Sequence, residues 1–206
     1  MEKYNLPLYR SWFPFLATGK IWMNHAAISP MSSRVSSVVV QYLHRCAVEE
    51  VDTYLSTVPT IAALKGNLGR LINAQSERIA FAGNTSDGLN VLATGLEWHS
   101  GDRILLNDSE FPSNVVPFIN LKRLGVEVDI ITTHHGEITA NQIERLLTPR
   151  TRLVSLSFVQ FLSGFRADLE SVGDVCRRHH ALFCVDAIQG LGAFPLDVRA
   201  MNIDFL

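Results

Sequence analysis

Hydrophobic positions along this chain change their period partway through. From Met31 to about Val51, the residues Val35, Val38, Val39, Tyr42, Leu43, Cys46 and Ala47 recur at helical spacing, and a second helical stretch is expected from Ile61 to about Ile72. Beyond it, short β-branched and aliphatic runs alternate with amphipathic stretches. The pattern predicts strands over Arg78–Ala82, Arg103–Asn107, Val126–Thr132, Arg152–Phe158 and Leu182–Asp186, with helices over Thr85–Leu96, Ser113–Leu124, Ala140–Leu147 and Leu169–His179 between them. That order is the signature of an α/β domain with a mainly parallel sheet covered by helices on both faces. Residues 1–29 differ: Pro7, Pro14 and Gly19 interrupt them and Trp12, Phe13 and Phe15 cluster, so they are expected to form an extended N-terminal arm, with Ser29-Pro30 opening the main domain at residues 30–206.

Composition narrows the function classes. Of 206 residues, 47% are hydrophobic and 18% charged, and the net charge of -2 leaves no single-sign field to attract nucleic acid. Cys46, Cys176 and Cys184 have neither paired nor metal-like spacing, so no disulfide framework and no zinc site are expected. The opening MEKYNLPLYR lacks the apolar region of a secretory signal, and no apolar run reaches the ~18 residues of a membrane span. A cytoplasmic protein without membrane contacts is the expectation. His134-His135 before Gly136 reads as a polar turn rather than a metal site, His179-His180 as a helix end, and Arg166 as a solvated charge beside a carboxylate.

In open parallel sheets, ligands bind beyond the carboxyl ends of the strands, so residues just after each strand carry the chemistry. The stretch Gly83-Asn84-Thr85-Ser86-Asp87-Gly88 joins a strand to a helix; Thr85 or Ser86 is placed to cap that helix, whose free N–H groups and positive dipole end suit a phosphate, although taken alone a plain cap is the commoner role of such residues. In Ser109-Glu110-Phe111-Pro112-Ser113-Asn114, Phe111 is placed either to lie on a planar ligand or to fill the core. Asp186 follows four apolar residues, Leu182 to Val185, and a carboxylate there needs a cationic or hydrogen-bonding partner unless it caps a helix or binds ribose or metal. Gln160, after Ser157-Phe158-Val159, presents an amide to the same crevice.

Taken in this order, with the early turn Trp22-Met23-Asn24-His25-Ala26-Ala27, these residues resemble the class V aminotransferase superfamily of pyridoxal phosphate (PLP) fold type I, which includes cysteine desulfurases, isopenicillin N epimerase-like proteins and kynureninases. The resemblance implies that Thr85 and Ser86 hold the PLP phosphate, Phe111 stacks on the pyridine ring, Asp186 pairs with the protonated ring nitrogen, and Gln160 and Gln189 lie near the ring hydroxyl. Desulfurases typically carry a histidine at the stacking position, so Phe111 is closer to kynureninase-like and epimerase-like members. The family's Schiff-base lysine follows the aspartate by roughly two dozen residues, whereas this sequence ends at Leu206, and Lys3, Lys20, Lys65 and Lys122 read as solvated charges. The expectation is thus a fold type I large domain, truncated at its C-terminus and incomplete without the lysine and the small domain, from a homodimeric enzyme acting on an amino acid. A desulfurase- or kynureninase-type lyase fragment is the alternative within the family. A phosphate-binding α/β module without PLP is the alternative outside it, although neither GxGxxG nor GxxxxGK[ST] is present.

Overall fold

A computed structural model describes residues 4–206; Met1, Glu2 and Lys3, the last read above as a charge in the arm, lie outside the described residues. The chain divides into two compact units, Met1–Ala62 and Ala63–Leu206.

The first unit is helical. Its arm is not simply extended: α1 (Leu6–Ser11) and a 3-10 turn (Pro14–Thr18) fold within it, each with a proline in its first turn, where the missing N–H costs nothing. Trp12 anchors the arm locally, accepting from Ser33 through its carbonyl at 2.7 Å while the Arg34 guanidinium sits 4.5 Å from its ring. Helix α2 (Ser33–Val48) starts at the N-cap Ser32, whose hydroxyl accepts from the Val35 N–H. Helix α3 (Tyr54–Ile72), whose residues fall in both units, begins well before Ile61 and carries Pro59 inside it, which removes one ladder bond without ending the helix.

The second unit is the α/β domain. Its elements are α4 (Thr85–Gly95), β1 (Arg103–Asn107), α5 (Val116–Ile119), β2 (Glu127–Ile131), α6 (Ala140–Leu146), β3 (Thr151–Ser157), α7 (Leu169–Arg178) and β4 (Leu182–Asp186). The strands form one sheet in the order β2-β1-β3-β4, and every pair is parallel. Alternation along each strand divides the core into two layers. Leu105, Val154, Leu156, Phe183 and Val185 pack with Ile143 of α6 and Val172, Val175 and Cys176 of α7. Ile104, Leu106, Leu153 and Cys184 pack on the other side with Leu89 and Leu92 of α4 and with Phe118 and Leu121. Helices therefore cover both faces.

The sheet has four strands, not five. The expected strand at Arg78–Ala82 is a 3-10 turn (Ser76–Arg78) followed by unpaired backbone. An open groove of about 460 Å³, lined by Ile79, Ala80, Ile203 and Leu206 among others, runs beside this segment, which pairs with none of the four strands. The helix expected over Ser113–Leu124 is likewise broken into a 3-10 turn (Pro112–Asn114), α5 and a second 3-10 turn (Asn120–Leu124). Among the described residues no helix is long and apolar enough to cross a membrane.

Candidate functional site

Because all four strands are parallel, their carboxyl ends share one edge. Helix α4 starts near it, and its N-cap is Asn84 rather than Thr85 or Ser86: Asn84 Oδ1 accepts from the Asp87 N–H at 2.9 Å. Thr85 and Ser86 occupy the first two helical positions instead. The first ladder bond runs from the Gly88 N–H to the Asn84 carbonyl, so the N–H groups of Thr85 and Ser86 precede it and the positive dipole end lies with them. Asp87 shares this end, held by Asn84 Nδ2 at 3.0 Å, and its charge competes with any anion for the dipole. The Ser86 hydroxyl donates to Ser113 Oγ at 3.0 Å, tying α4 to the segment after β1.

That segment carries Phe111. It is not a core residue, being 46% exposed, and its ring meets that of Phe161 edge-on, with centroids 5.1 Å apart and planes at 86°. Phe161 follows Gln160, so one aromatic pair spans the loops after β1 and β3.

Next to Phe111 in the chain is a residue that the sequence alone did not single out. Glu110 is 8% exposed and accepts five hydrogen bonds: from Asn107 Nδ2, from Asn114 Nδ2 at 3.0 Å, from the Ser157 N–H at 2.7 Å, from the Ser157 hydroxyl and from Gln160 Nε2 at 2.8 Å. In all five contacts the carboxylate oxygens of Glu110 serve as acceptors. The usable signal was the flanking of Glu110 by two asparagines within one turn, beside a strand of serines at Ser155 and Ser157.

Gln160 is 1% exposed, and while Nε2 donates to Glu110, its Oε1 is buried with no hydrogen-bond partner. Asp186 ends β4 opposite Ser157 and is 7% exposed. Burial raises its carboxyl above the ordinary range, the Ile188 N–H donating to Oδ1 at 3.0 Å opposes this in part, and the charge of Glu110 pushes the same way as burial. Among the described residues no Lys, Arg or His forms an ion pair with Asp186. Gln189 lies half-buried in the turn after β4, next to Gly190, which packs against the Phe158 ring. Hydrogen bonds, ring contacts and strand register thus connect Ser86, Phe111, Gln160 and Asp186 at one edge.

A buried carboxylate without a cationic partner, a buried amide oxygen lacking a donor, an exposed aromatic face and a helix N-terminus are what a protonated, hydroxylated pyridine bearing a phosphate requires. The residues present fit that group.

Elsewhere, His134-His135-Gly136-Glu137 closes a tight turn with positive φ at His135 and Gly136, and Glu137 N–H bonds back to the His134 carbonyl. His25 Nδ1 lies 3.2 Å from Ser29 Oγ within its own turn. His179 caps the C-terminus of α7 and faces Glu144. Arg166 is exposed and near Asp168, and its guanidinium also lies 4.9 Å from the Phe194 ring. Among the described residues no group of three or more His, Cys, Asp or Glu could hold a metal ion.

Residues 21–206 match the family profile described as aminotransferase class-V. The chain belongs to that family. A probable cysteine desulfurase of Methanothermobacter thermautotrophicus is 34% identical over 135 residues, which are 65% of this chain and 34% of that protein. An uncharacterized aminotransferase of Bacillus subtilis is 23% identical over 198 residues, 96% of this chain and 52% of its own length. Among solved structures, the cystine C-S lyase C-DES in complex with its product cysteine persulfide gives a TM-score of 0.83 at 26% identity, covering 94% of this chain and 54% of that one. A cysteine desulfurase from Escherichia coli shares the fold, with a TM-score of 0.86 at 21% identity over 99% of this chain and 54% of its own. A C-DES variant was solved with glycine covalently linked to its PLP cofactor. The fold type I architecture of class V enzymes is therefore the architecture of this chain, and PLP is the cofactor that this membership and these relatives support. The chain spans about half the length of the structural relatives and 34% of the desulfurase.

Proposed function

We propose that this chain supplies the PLP-binding large domain of a class V enzyme acting on an amino acid. The observation that carries the reading is the pairing of Asp186, buried without a cation, with Gln160 Oε1, buried without a donor, at one sheet edge. Asp186 would bind the ring nitrogen and hold its proton. Thr85 and Ser86 would bind the phosphate through their N–H groups, Phe111 would cover one ring face and exclude water from it, and Gln160 and Gln189 would orient the ring hydroxyl. When bound, PLP supplies an electron sink for a carbanion formed from the amino acid.

No residue among 1–206 is assigned the role of covalent or proton-transferring lysine. An amino-acid substrate is supported by the names of the relatives, which are cysteine desulfurases and a cystine lyase. Homodimerisation belongs to the same reading, supported by the exposed apolar side chains of α2 such as Val38 and Leu43. A cytoplasmic location is supported by three unpaired cysteines.

The test is equilibrium dialysis of the purified chain against PLP, followed by borohydride reduction and mass mapping. Saturable binding, competed by inorganic phosphate and weakened by Asp186→Ala, is expected. Absence of binding, or binding indifferent to Asp186, would overturn the reading, and stoichiometric labelling of Lys65 or Lys122 with amino-acid turnover would refute the assignment of no lysine here.

A further inference from the structure

The loop after β3 is a tight hairpin. Val159 and Arg166 pair antiparallel, the Gln160 N–H donates to the Phe165 carbonyl at 2.9 Å, and the Gly164 N–H donates back to the Gln160 carbonyl at 2.9 Å. Gly164 closes the turn with a φ of 72°, a conformation that suits glycine. The tip so fixed is apolar, with Phe161 40% and Leu162 82% exposed, and neither side chain packs in either layer of the core. Phe111, half-exposed on the loop after β1, stands edge-on to Phe161. The polar side chains of these two loops are already engaged. Ser109 shares a hydrogen bond with Thr133 at 2.7 Å, Ser113 accepts from Ser86, and Ser163 accepts from the Phe165 N–H at 3.2 Å. Asn114 and Gln160 donate to Glu110, whose other contacts also run to protein donors, and the unpartnered Gln160 Oε1 is buried. What the two loops leave free for a ligand is aromatic and aliphatic surface.

We propose that Phe161 and Leu162, together with Phe111, form the subsite for the substrate's side chain and select amino acids whose side chain is aromatic or large and apolar. This rests on the PLP reading above, because PLP, covered by Phe111, is what brings the amino acid to these residues. Two rings held at 86° to each other let a third ring stack on one while meeting the other edge-on, so an aromatic side chain gains both buried apolar area and ring pairing. A methyl group is too small to reach either gain in full. A carboxylate side chain loses water against the same walls and finds no donor on the two loops to replace it.

The test titrates the purified chain by calorimetry with PLP and with stable N-phosphopyridoxyl conjugates of L-phenylalanine, L-alanine and L-aspartate. The phenylalanine conjugate is expected to bind about tenfold tighter than the alanine conjugate, with the aspartate conjugate weakest. Phe161→Ala should bring the phenylalanine and alanine conjugates to within about twofold of each other. Leu162→Ser, a change at an exposed tip position, should weaken the phenylalanine conjugate by about threefold or more and leave the alanine conjugate unchanged, and it carries the test if Phe161→Ala fails to fold. A wild-type chain that binds PLP but binds the phenylalanine and alanine conjugates equally, or binds neither, overturns this proposal and leaves the cofactor reading standing. A preference that survives both substitutions overturns it too. A wild-type chain that binds neither PLP nor any conjugate overturns the cofactor reading, and this proposal with it.

Discussion

Substituting Gly190 by alanine tests how tightly the loop after β4 closes on the site. A Cβ at Gly190 would lie 2.4 Å from Phe158 Cδ1 and 3.0 Å from both Cγ and Cε1, inside van der Waals contact. The ring cannot swing clear. Phe158 is buried, its N–H bonds to the Asp186 carbonyl at 2.9 Å, its carbonyl accepts from the Ala167 N–H at 2.9 Å, and Phe194 stands edge-on at 5.9 Å. Overpacking of this kind costs about 1–3 kcal/mol, which for a domain of this size lowers Tm by roughly 2–12 °C. The strain is passed to the backbone next to Gln160 and Asp186, so PLP affinity should fall as well. Gly95→Ala is the matched control: nothing lies within 4 Å of its Cβ, and it ends a helix, so it should be neutral or add no more than about 1 kcal/mol. Thermal denaturation by circular dichroism, with PLP titration of each variant, reads both effects. An unchanged Tm for Gly190→Ala would refute the packing argument, and a lowered Tm with unchanged affinity would refute its link to the site.

Asp186→Asn should stabilise the PLP-free chain at neutral pH. The folded carboxyl is raised by burial above its ordinary value of 3.8, so the folded state holds its proton longer than the unfolded state; stability is then greatest below that value and is lost as pH rises through the raised folded value. Tm measured against pH should show a decline in wild type that the variant lacks, and a variant less stable at neutral pH would contradict the assignment. The two buried thiols, pushed up to about 12 chiefly by burial, should resist alkylation in the folded protein, so mass mapping should find Cys46 modified while Cys176 and Cys184 react after denaturation. Early labelling of Cys184 would mean that β4 is not buried as described.

The strands Arg103–Asn107 and Leu182–Asp186 were legible to the residue because each is a continuous apolar run ending in a polar side chain, the pattern of a strand buried on both faces. Ile79 and Phe81 carry the same local signal, but a strand also needs a neighbour, and pairing across a groove is not written in a local pattern. The break around α5 was hidden because 3-10 and α turns share nearly the same hydrophobic spacing, and Pro117 at the start of α5 satisfies both. Phe111, Gln160 and Asp186 were picked out by one topological rule about strand ends, and they do follow β1 and β3 and end β4; Thr85 was picked out by the same rule, although the strand expected before it does not form. Glu110 was not, since a lone glutamate in a loop is usually solvated; three of its five donors come from residues 47 and 50 positions away.

The proposed pairing of Asp186 with the cationic nitrogen of the PLP ring is measured directly by nitrogen-15 NMR of ring-labelled PLP bound to this chain. A pyridine nitrogen that stays protonated in the wild-type complex above the pH at which free PLP loses that proton, and that loses it in Asp186→Asn, is the predicted result. A deprotonated ring nitrogen in the wild-type complex, or protonation indifferent to Asp186, would contradict the account.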